Sequence, residues 1–550
     1  MSLFINLTVG ILVNEYLKGS LLLILQGYDK LRIYKNYNVV LLFKKIKMKK
    51  ALYILVGISL FITSCSKDNN TINFTLLQLN DVYEIAPLEG GKVGGMARVE
   101  KLHQDLLKEN PNTFMFMAGD FLNPSLLGTL KYKGERIKGR QMIEVMNAMN
   151  FDLVALGNHE FDLKEKEFQQ RLNESTFQWI ATNPVHKLND STTQRFAVVK
   201  DNVRNELPKT VTFDVKNEDG KTIKIGFFSA TLNSNPKDYV DYGDFYESAK
   251  FAYANLKETS DIVFGLTHLS IEQDKLVSKM FPDVPLIMGG HEHVNMSVPV
   301  GNAKITKADA NAKTVYVHRI SYNVKTKETV INSELVPITK DTGIDAAIDK
   351  IVQKWNILLD EKIKEILPNP DAVIFKAEVP LDGRDTPIRS KQTNLGLLIA
   401  KSMAFSFNNE VDCALINGGS IRIDDQLQGD ITGVDIFRVL PFGGEILKVE
   451  LKGSLLKKVL NYGRLKAGKG AYLQRYNVNY DIANKIWSVD NSEIVDSKIY
   501  KVAFSDYLLK GYDIPFLKPE NTDVIKIYEN KEGDAARDIR KAIILYLNSL

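Results

Sequence analysis

The sequence predicts an α/β chain of two domains, and three observations carry that reading. Between residues 72 and 339, short apolar runs alternate with amphipathic stretches, as buried strands followed by helices do. Five of these runs (74–79, 113–118, 152–156, 262–266 and 285–288) end in a short polar segment bearing Asp, Asn or His. After a long amphipathic stretch, a second series of strand and helix patterns begins at residue 371, with no internal repeat of the first.

Residues 1–71 precede the first strand. Five lysines, Lys44, Lys45, Lys47, Lys49 and Lys50, cluster there. Met48-Lys49-Lys50 then supplies a start and a positive segment, and 51–62 is an apolar run too short to span a bilayer as a helix. Ile62-Thr63-Ser64-Cys65 resembles a lipobox, so Cys65 is the expected acylated first residue of the mature chain, tethered by the polar segment 66–71. A protein lipid-anchored in a bacterial cell envelope is the expectation. Residues 1–47 read as upstream sequence from a mis-set start, the rival being an amphipathic extension lying on a membrane.

The first domain, 72–340, places helices over 96–110, 141–149 and 165–173. Gly90-Gly91 and Gly94-Gly95 read as turn and helix-start glycines, because no P-loop lysine follows them. Residues 314–323 and 330–336 alternate without helices between, which suits antiparallel strands closing a second sheet. In the connector, 341–370, residues Ile344, Ile348, Ile351, Trp355, Leu358, Leu359 and Ile363 fall at helical spacing, and Pro368-Asn369-Pro370 ends the helix. The second domain, 371–550, has strand patterns at 411–416, 445–451 and 499–504 and helical ones at 394–404 and 454–463.

With 550 residues, 25% charged and 44% hydrophobic, the composition is ordinary for a globular protein. A net charge of +4, concentrated near the start, leaves no basic stripe for nucleic acid. Two cysteines, Cys65 and Cys413, make no disulfide framework.

In an open α/β layer, ligands bind beyond the carboxyl ends of the strands. The five runs deliver Asp81, Asp120, Asn158, His268 and the pair His291 and His293 to such an edge. With His159, four of the seven histidines lie there. In Gly157-Asn158-His159-Glu160-Phe161-Asp162, Asn158 offers a neutral oxygen to a cation. Asp162 stands three residues after His159, on the same face of a helical turn, where a carboxylate orients an imidazole and favours its charged form. Glu160 reads as an anion at a helix start.

These residues resemble the calcineurin-like metallophosphoesterase superfamily, in particular its bacterial 5′-nucleotidase branch, from about Asn73 to the C-terminus. The motifs are Asn80-Asp81-Val82-Tyr83, Gly119-Asp120, Gly157 to Glu160, Thr267-His268 and Gly290-His291-Glu292-His293. The resemblance implies a four-layer αββα sandwich joined to a smaller α+β nucleotide-binding domain. It also implies two divalent cations (Mn, Zn or Fe, a choice the donors do not make) bridged by Asp120. Asp81 and His293 would complete one site, and Asn158, His268 and His291 the other. His159, oriented by Asp162, would hydrogen-bond the phosphoryl oxygen or the leaving group. The departure is Tyr83, where the family has a histidine: a phenol binds divalent cations poorly, so it either serves a trivalent iron or leaves that site weaker and filled by water.

In the second domain the resemblance extends to Asn417-Gly418-Gly419-Ser420-Ile421-Arg422, to Leu440-Pro441-Phe442-Gly443-Gly444, and to Tyr507 six residues before Asp513. It assigns Asn417, Arg422, Asp513, Arg384 and Arg389 to nucleotide binding, with Phe442 and Tyr507 as a base clamp rather than core aromatics. Gly511-Tyr512-Asp513 departs from the family's Gly-Gly-Asp. The implied activity is hydrolysis of nucleotide phosphate esters to nucleoside and phosphate outside the cytoplasm. The alternatives are a cyclic-nucleotide phosphodiesterase, a nucleotide-sugar hydrolase, or a non-catalytic nucleotide-capture lipoprotein.

Overall fold

Alternation along the first strand builds the sandwich. In Thr71–Leu79 (β1), Ile72, Phe74 and Leu76 enter one core while Leu77 and Leu79 enter another, so both faces of the strand are covered. The computed structural model describes residues 70–234 and 237–550. The expectations for 1–47, for the leader 48–65 with Cys65, and for nearly all of the tether lie outside the described residues.

From β1 the chain runs through the helix Met96–Glu109 (α1), strand Thr113–Ala118 (β2), helix Arg140–Ala148 (α2), strand Leu153–Ala155 (β3), helix Glu165–Glu174 (α3) and strand Gln178–Ile180 (β4). It continues through strands Thr210–Lys216 (β5) and Thr222–Thr231 (β6), helix Phe245–Thr259 (α4), strand Ile262–His268 (β7) and helix Ile271–Met280 (α5). Strands Leu286–Gly289 (β8), Met296–Val300 (β9), Ala303–Lys307 (β10), Thr314–Asn323 (β11) and Thr329–Pro337 (β12) follow. One six-stranded sheet has the order β12-β11-β1-β2-β3-β4 and the other β5-β6-β7-β8-β10-β9.

The sheets pack face to face through Phe74 on Phe264 and Phe116 on Phe227, with ring centroids 6.2 and 4.9 Å apart. Helices cover the two outer faces, α1 to α3 packing with Leu77 and Met115, and α4 and α5 with Phe228 and Ile287. This is the expected αββα sandwich.

Three details differ from the sequence reading. Strands β11 and β12 extend the first sheet, because β11 pairs antiparallel with β1 from Tyr316 to Asn323; the second sheet is made by β5 to β10. The five ligand-bearing strands therefore belong to two sheets, β1 to β3 in one and β7 and β8 in the other. Third, the chain after Asn158 forms only a 3-10 turn, Glu160–Asp162, and the α-helix waits until Glu165. Side chains three apart eclipse in such a turn, so the spacing of His159 and Asp162 still brings them together.

The connector helix Ala346–Lys364 (α6) buries Ile348, Val352, Trp355, Leu359 and Ile363. It packs on the first domain, and the Trp355 indole donates to Glu144 of α2 at 3.0 Å. Beyond it, strand Val373–Asp382 (β13) pairs with strand Gln426–Thr432, and a five-stranded sheet contains Cys413–Asn417, Ile446–Lys452, Leu473–Tyr476, Ile499–Ser505 and Val524–Ile527. Residues 70–550 form one compact unit, in which the second domain meets the strand ends of the first.

Candidate active site

Asp81, Asp120, His291 and His293 all have positive φ (54°, 58°, 88° and 61°), a conformation that costs non-glycine residues energy and concentrates at functional sites. Close packing and hydrogen bonds hold these loops. The buried Glu160 carboxylate accepts the backbone N–H groups of Gly157, Asp120, Phe121 and Leu122 at 2.7, 2.9, 2.8 and 3.2 Å, tying the loop after β2 to the loop after β3. This is a larger part than the helix-start anion expected for it. Only glycine fits at 157, since a Cβ there would lie 2.1 Å from Asp120 Oδ1. Lys307, fully buried, donates to the carbonyls of Leu269 and Gly290 at 2.6 and 2.7 Å and pairs with Asp274 at 2.8 Å. It thereby fixes the segments just after His268 and just before His291.

The donor atoms converge. Asp120 Oδ2 lies 2.9 Å from His268 Nε2, and Asp81 Oδ1 lies 3.2 Å from His293 Nε2 and 3.9 Å from His268 Nε2. One atom each from Asp81, Asp120 and His268 falls within 4.8 Å of the others. His268 Nδ1 donates to the Ala118 carbonyl at 2.8 Å, which turns the lone pair of Nε2 inward. Burial pushes His291 down to about 3, the neutral form in which imidazole binds metal.

Asp81 Oδ1, Asn158 Oδ1 and His268 Nε2 are buried without a hydrogen bond. Orphaned buried polar atoms are costly, and those of Asp81 and His268, grouped with Asp120, fit a divalent cation, with Asn158 lining the cleft beside them. The Tyr83 hydroxyl stands among them, 3.1 Å from His293 Nε2 and 3.4 Å from both Asp120 Oδ2 and Asp424 Oδ2. Burial and the charges of Asp120, Asp424 and Asp81 push its pKa well up, which keeps the phenol protonated and disfavours a tyrosinate.

His159 Nδ1 lies 2.8 Å from Asp162 Oδ2. Burial works against charge on this ring, but Asp120, Asp162 and a hydrogen bond to Asp424 outweigh it and hold the imidazolium well above its usual range. Asp162 is buried, yet His159, Arg422 and Lys237 keep it ionised; Lys237 Nζ is 3.2 Å from Oδ1 and Arg422 3.3 Å from Oδ2.

A cleft of about 200 Å³ opens beside these groups, lined by Asn158, His159, His291, His293, Arg384 and Asp424 among others. Arg384 is engaged by Asp382 through two contacts of 2.9 Å, and Arg389 by Asp385 at 2.7 Å. Asn417 donates to Asp513 at 2.6 Å, and Tyr507 also bonds Asp513. Phe442 and Tyr507 are 60% and 40% exposed, so neither is a core aromatic; Tyr507 lies against Tyr512, ring centroids 5.4 Å apart. Of the expected set, Asp81, Asp120, His268 and His293 thus come together, Asn158 and His291 line the cleft beside them with His159, Asn417 and Tyr507 gather at Asp513, and Arg422 turns to Asp162.

Sequence reasoning missed Asp424, which reaches His159 Nε2 at 3.2 Å and His293 Nε2 at 3.6 Å. The signal available was the acid pair Asp424-Asp425, two residues after Arg422 in a loop otherwise read for ligand contacts.

Comparisons with known proteins agree with this geometry. The calcineurin-like phosphoesterase family matches residues 74–295, and the 5′-nucleotidase C-terminal domain matches 373–518. The chain is 28% identical over 482 residues to a 5′-nucleotidase of Rattus norvegicus, covering 76% of this chain and 78% of that one. It is 26% identical over 423 residues to the trifunctional nucleotide phosphoesterase protein YfkN of Bacillus subtilis, covering 70% of this chain and 27% of that one. The fold is shared with a 5′-nucleotidase precursor from Thermus thermophilus, at a TM-score of 0.60, 22% identity, and coverage of 87% of this chain and 96% of that one.

Proposed function

Because this chain belongs to the calcineurin-like phosphoesterases that carry a 5′-nucleotidase C-terminal domain, we propose that it hydrolyses nucleotide phosphate esters where its two sheets meet. The observation that carries the proposal is the convergence of buried ligand atoms from Asp81, Asp120 and His268 beside a charged His159. Asp81, Asp120 and His293 would hold one divalent cation, and Asp120, Asn158, His268 and His291 a second. Once bound, the pair supplies positive charge to the phosphoryl oxygens and acidifies a water nucleophile.

The protein's own groups do the rest. His159 is protonated and Asp162 fixes its Nδ1, so with substrate bound Nε2, now 3.2 Å from Asp424, would donate to a phosphoryl oxygen or to the departing ester oxygen. Lys237 and Arg422 keep Asp162 ionised, and Glu160 holds the backbone at Asp120 and at Gly157, next to Asn158. The nucleoside lies towards Phe442 and Tyr507, where stacking contributes about 1–3 kcal/mol per base contact with little base discrimination. Asn417, Asp513, Arg384 and Arg389 line its path. Residues 48–65 support an acylated Cys65 and action in the cell envelope.

A panel of nucleoside mono-, di- and triphosphates, cyclic nucleotides and nucleotide sugars on metal-reconstituted protein tests the reading. Nucleoside 5′-monophosphates are expected to release phosphate, and Asp120→Ala or His159→Ala to abolish turnover of every substrate. Preferential cleavage of cyclic nucleotides or nucleotide sugars would reassign the substrate. No turnover of any member would favour nucleotide capture.

A further inference from the structure

We propose that Asp424, carried by the second domain, is a ligand of the cation site in which Tyr83 occupies the position of an imidazole. The proposal rests on the two-cation reading of the site. From the first domain that site draws Asp81, the shared Asp120, His293 and a neutral phenol, a weak donor. A carboxylate is a hard anionic ligand that suits Mn²⁺, Mg²⁺ or Zn²⁺.

The distances fit. Bonds of about 2.0–2.2 Å to one cation put neighbouring ligand atoms roughly 3–3.6 Å apart. Asp424 Oδ2 is 3.6 Å from His293 Nε2 and 3.4 Å from the Tyr83 hydroxyl, and His293 Nε2 is 3.2 Å from Asp81 Oδ1.

The loop holds this oxygen in place. Asp424 is 7% exposed and left-handed, at φ 44°, and its other oxygen accepts the Asp385 N–H at 2.6 Å, which leaves Oδ2 facing both the site and the His159 imidazolium, 3.2 Å from Nε2. The next residue, Asp425, is bound by Lys313 at 2.8 Å and by Asn311 at 3.2 Å. Asn311 in turn accepts the Tyr83 N–H at 3.0 Å and donates its own N–H to the Asp81 carbonyl at 2.8 Å. The segment bearing Asp424 is therefore fastened to the segment bearing Asp81 and Tyr83. Arg438 adds a 3.5 Å contact to Glu84. Loading this site would then draw the two domains together, since each supplies ligands to it.

The test is a Mn²⁺ titration of the full-length, metal-stripped protein, counting free Mn²⁺ by electron paramagnetic resonance. Wild type is expected to bind two ions. Asp424→Asn, which keeps size and most hydrogen bonding, should weaken one of them by about ten- to a hundredfold, as loss of a contributing group does, and leave the other unchanged. Adding Tyr83→His to that variant should recover much of the loss, which a folding defect would not. Two unaltered ions in Asp424→Asn would overturn the proposal while leaving the two-cation reading intact. Unaltered Mn²⁺ binding with tighter binding of inorganic phosphate would also overturn it, making Asp424 an occupant of the phosphate position. A wild type that binds no Mn²⁺ would defeat both.

Discussion

His159 is held between Asp162 on Nδ1 and Asp424 on Nε2, at 2.8 and 3.2 Å, one carboxylate from each domain. Its charge is set by these neighbours rather than by exposure, since the ring is 5% exposed. Phe442 and Tyr507 follow the opposite logic: each leaves a large aromatic surface open to solvent. Replacing both with Ala should raise KM for nucleoside monophosphates about tenfold or more, from stacking worth about 1–3 kcal/mol per contact. Turnover of a small aryl phosphate should be spared. Equal losses on both substrates would assign the aromatics to folding.

In β11, His318 makes a prediction of its own kind. It is fully buried, with Nδ1 2.9 Å from the Ser333 hydroxyl and Nε2 3.0 Å from Gln78 Oε1, while the Gln78 amide donates to Gly289 and Thr306 of the opposite sheet. Burial, then Lys304, pushes its pKa down to about 3. The folded state thus binds this proton less readily than the unfolded chain, whose histidine titrates near 6.5. Stability is complete above 6.5 and is lost as pH falls towards 3, by up to about 1.4 kcal/mol per pH unit. Denaturant titrations from pH 7 to 4.5 should show that loss, and His318→Gln should flatten it; an unchanged slope would remove the assignment.

The strand ends were legible because each apolar run stops at a metal-binding residue type, and α6 because its apolar stripe has helical spacing. Less was legible wherever contacts come from distant sequence. His318 resembles any strand polar until the second sheet covers it. The place of β11 and β12 beside β1 depends on a pairing across more than two hundred residues. Glu160 acts through backbone groups that no side-chain pattern marks, and Asp424 is aimed only by the packing of one domain on the other.

Across the whole molecule, the second domain contributes to the site itself: Arg422, Arg384 and Asp424 stand at or beside His159, Asp162 and His293. The start of the chain concerns placement in the cell. Among the described residues, no helix is long and apolar enough to cross a membrane. The anchor proposed at Cys65 predicts that Cys65→Ser leaves unprocessed or soluble protein, read as a change in mass and loss from the membrane fraction. Unchanged mass and membrane retention would remove the anchor and leave the chemistry untouched. In the proposed function, hydrolysis depends on divalent cations that Asp81, Asp120, Asn158, His268, His291 and His293 would hold. The most direct measurement is phosphate release from a nucleoside 5′-monophosphate before chelation, after it, and after Mn²⁺ is restored, with Asp120→Ala in parallel. Activity should vanish on chelation, return with Mn²⁺ and stay absent in Asp120→Ala; hydrolysis that survives both chelation and Asp120→Ala would contradict the account.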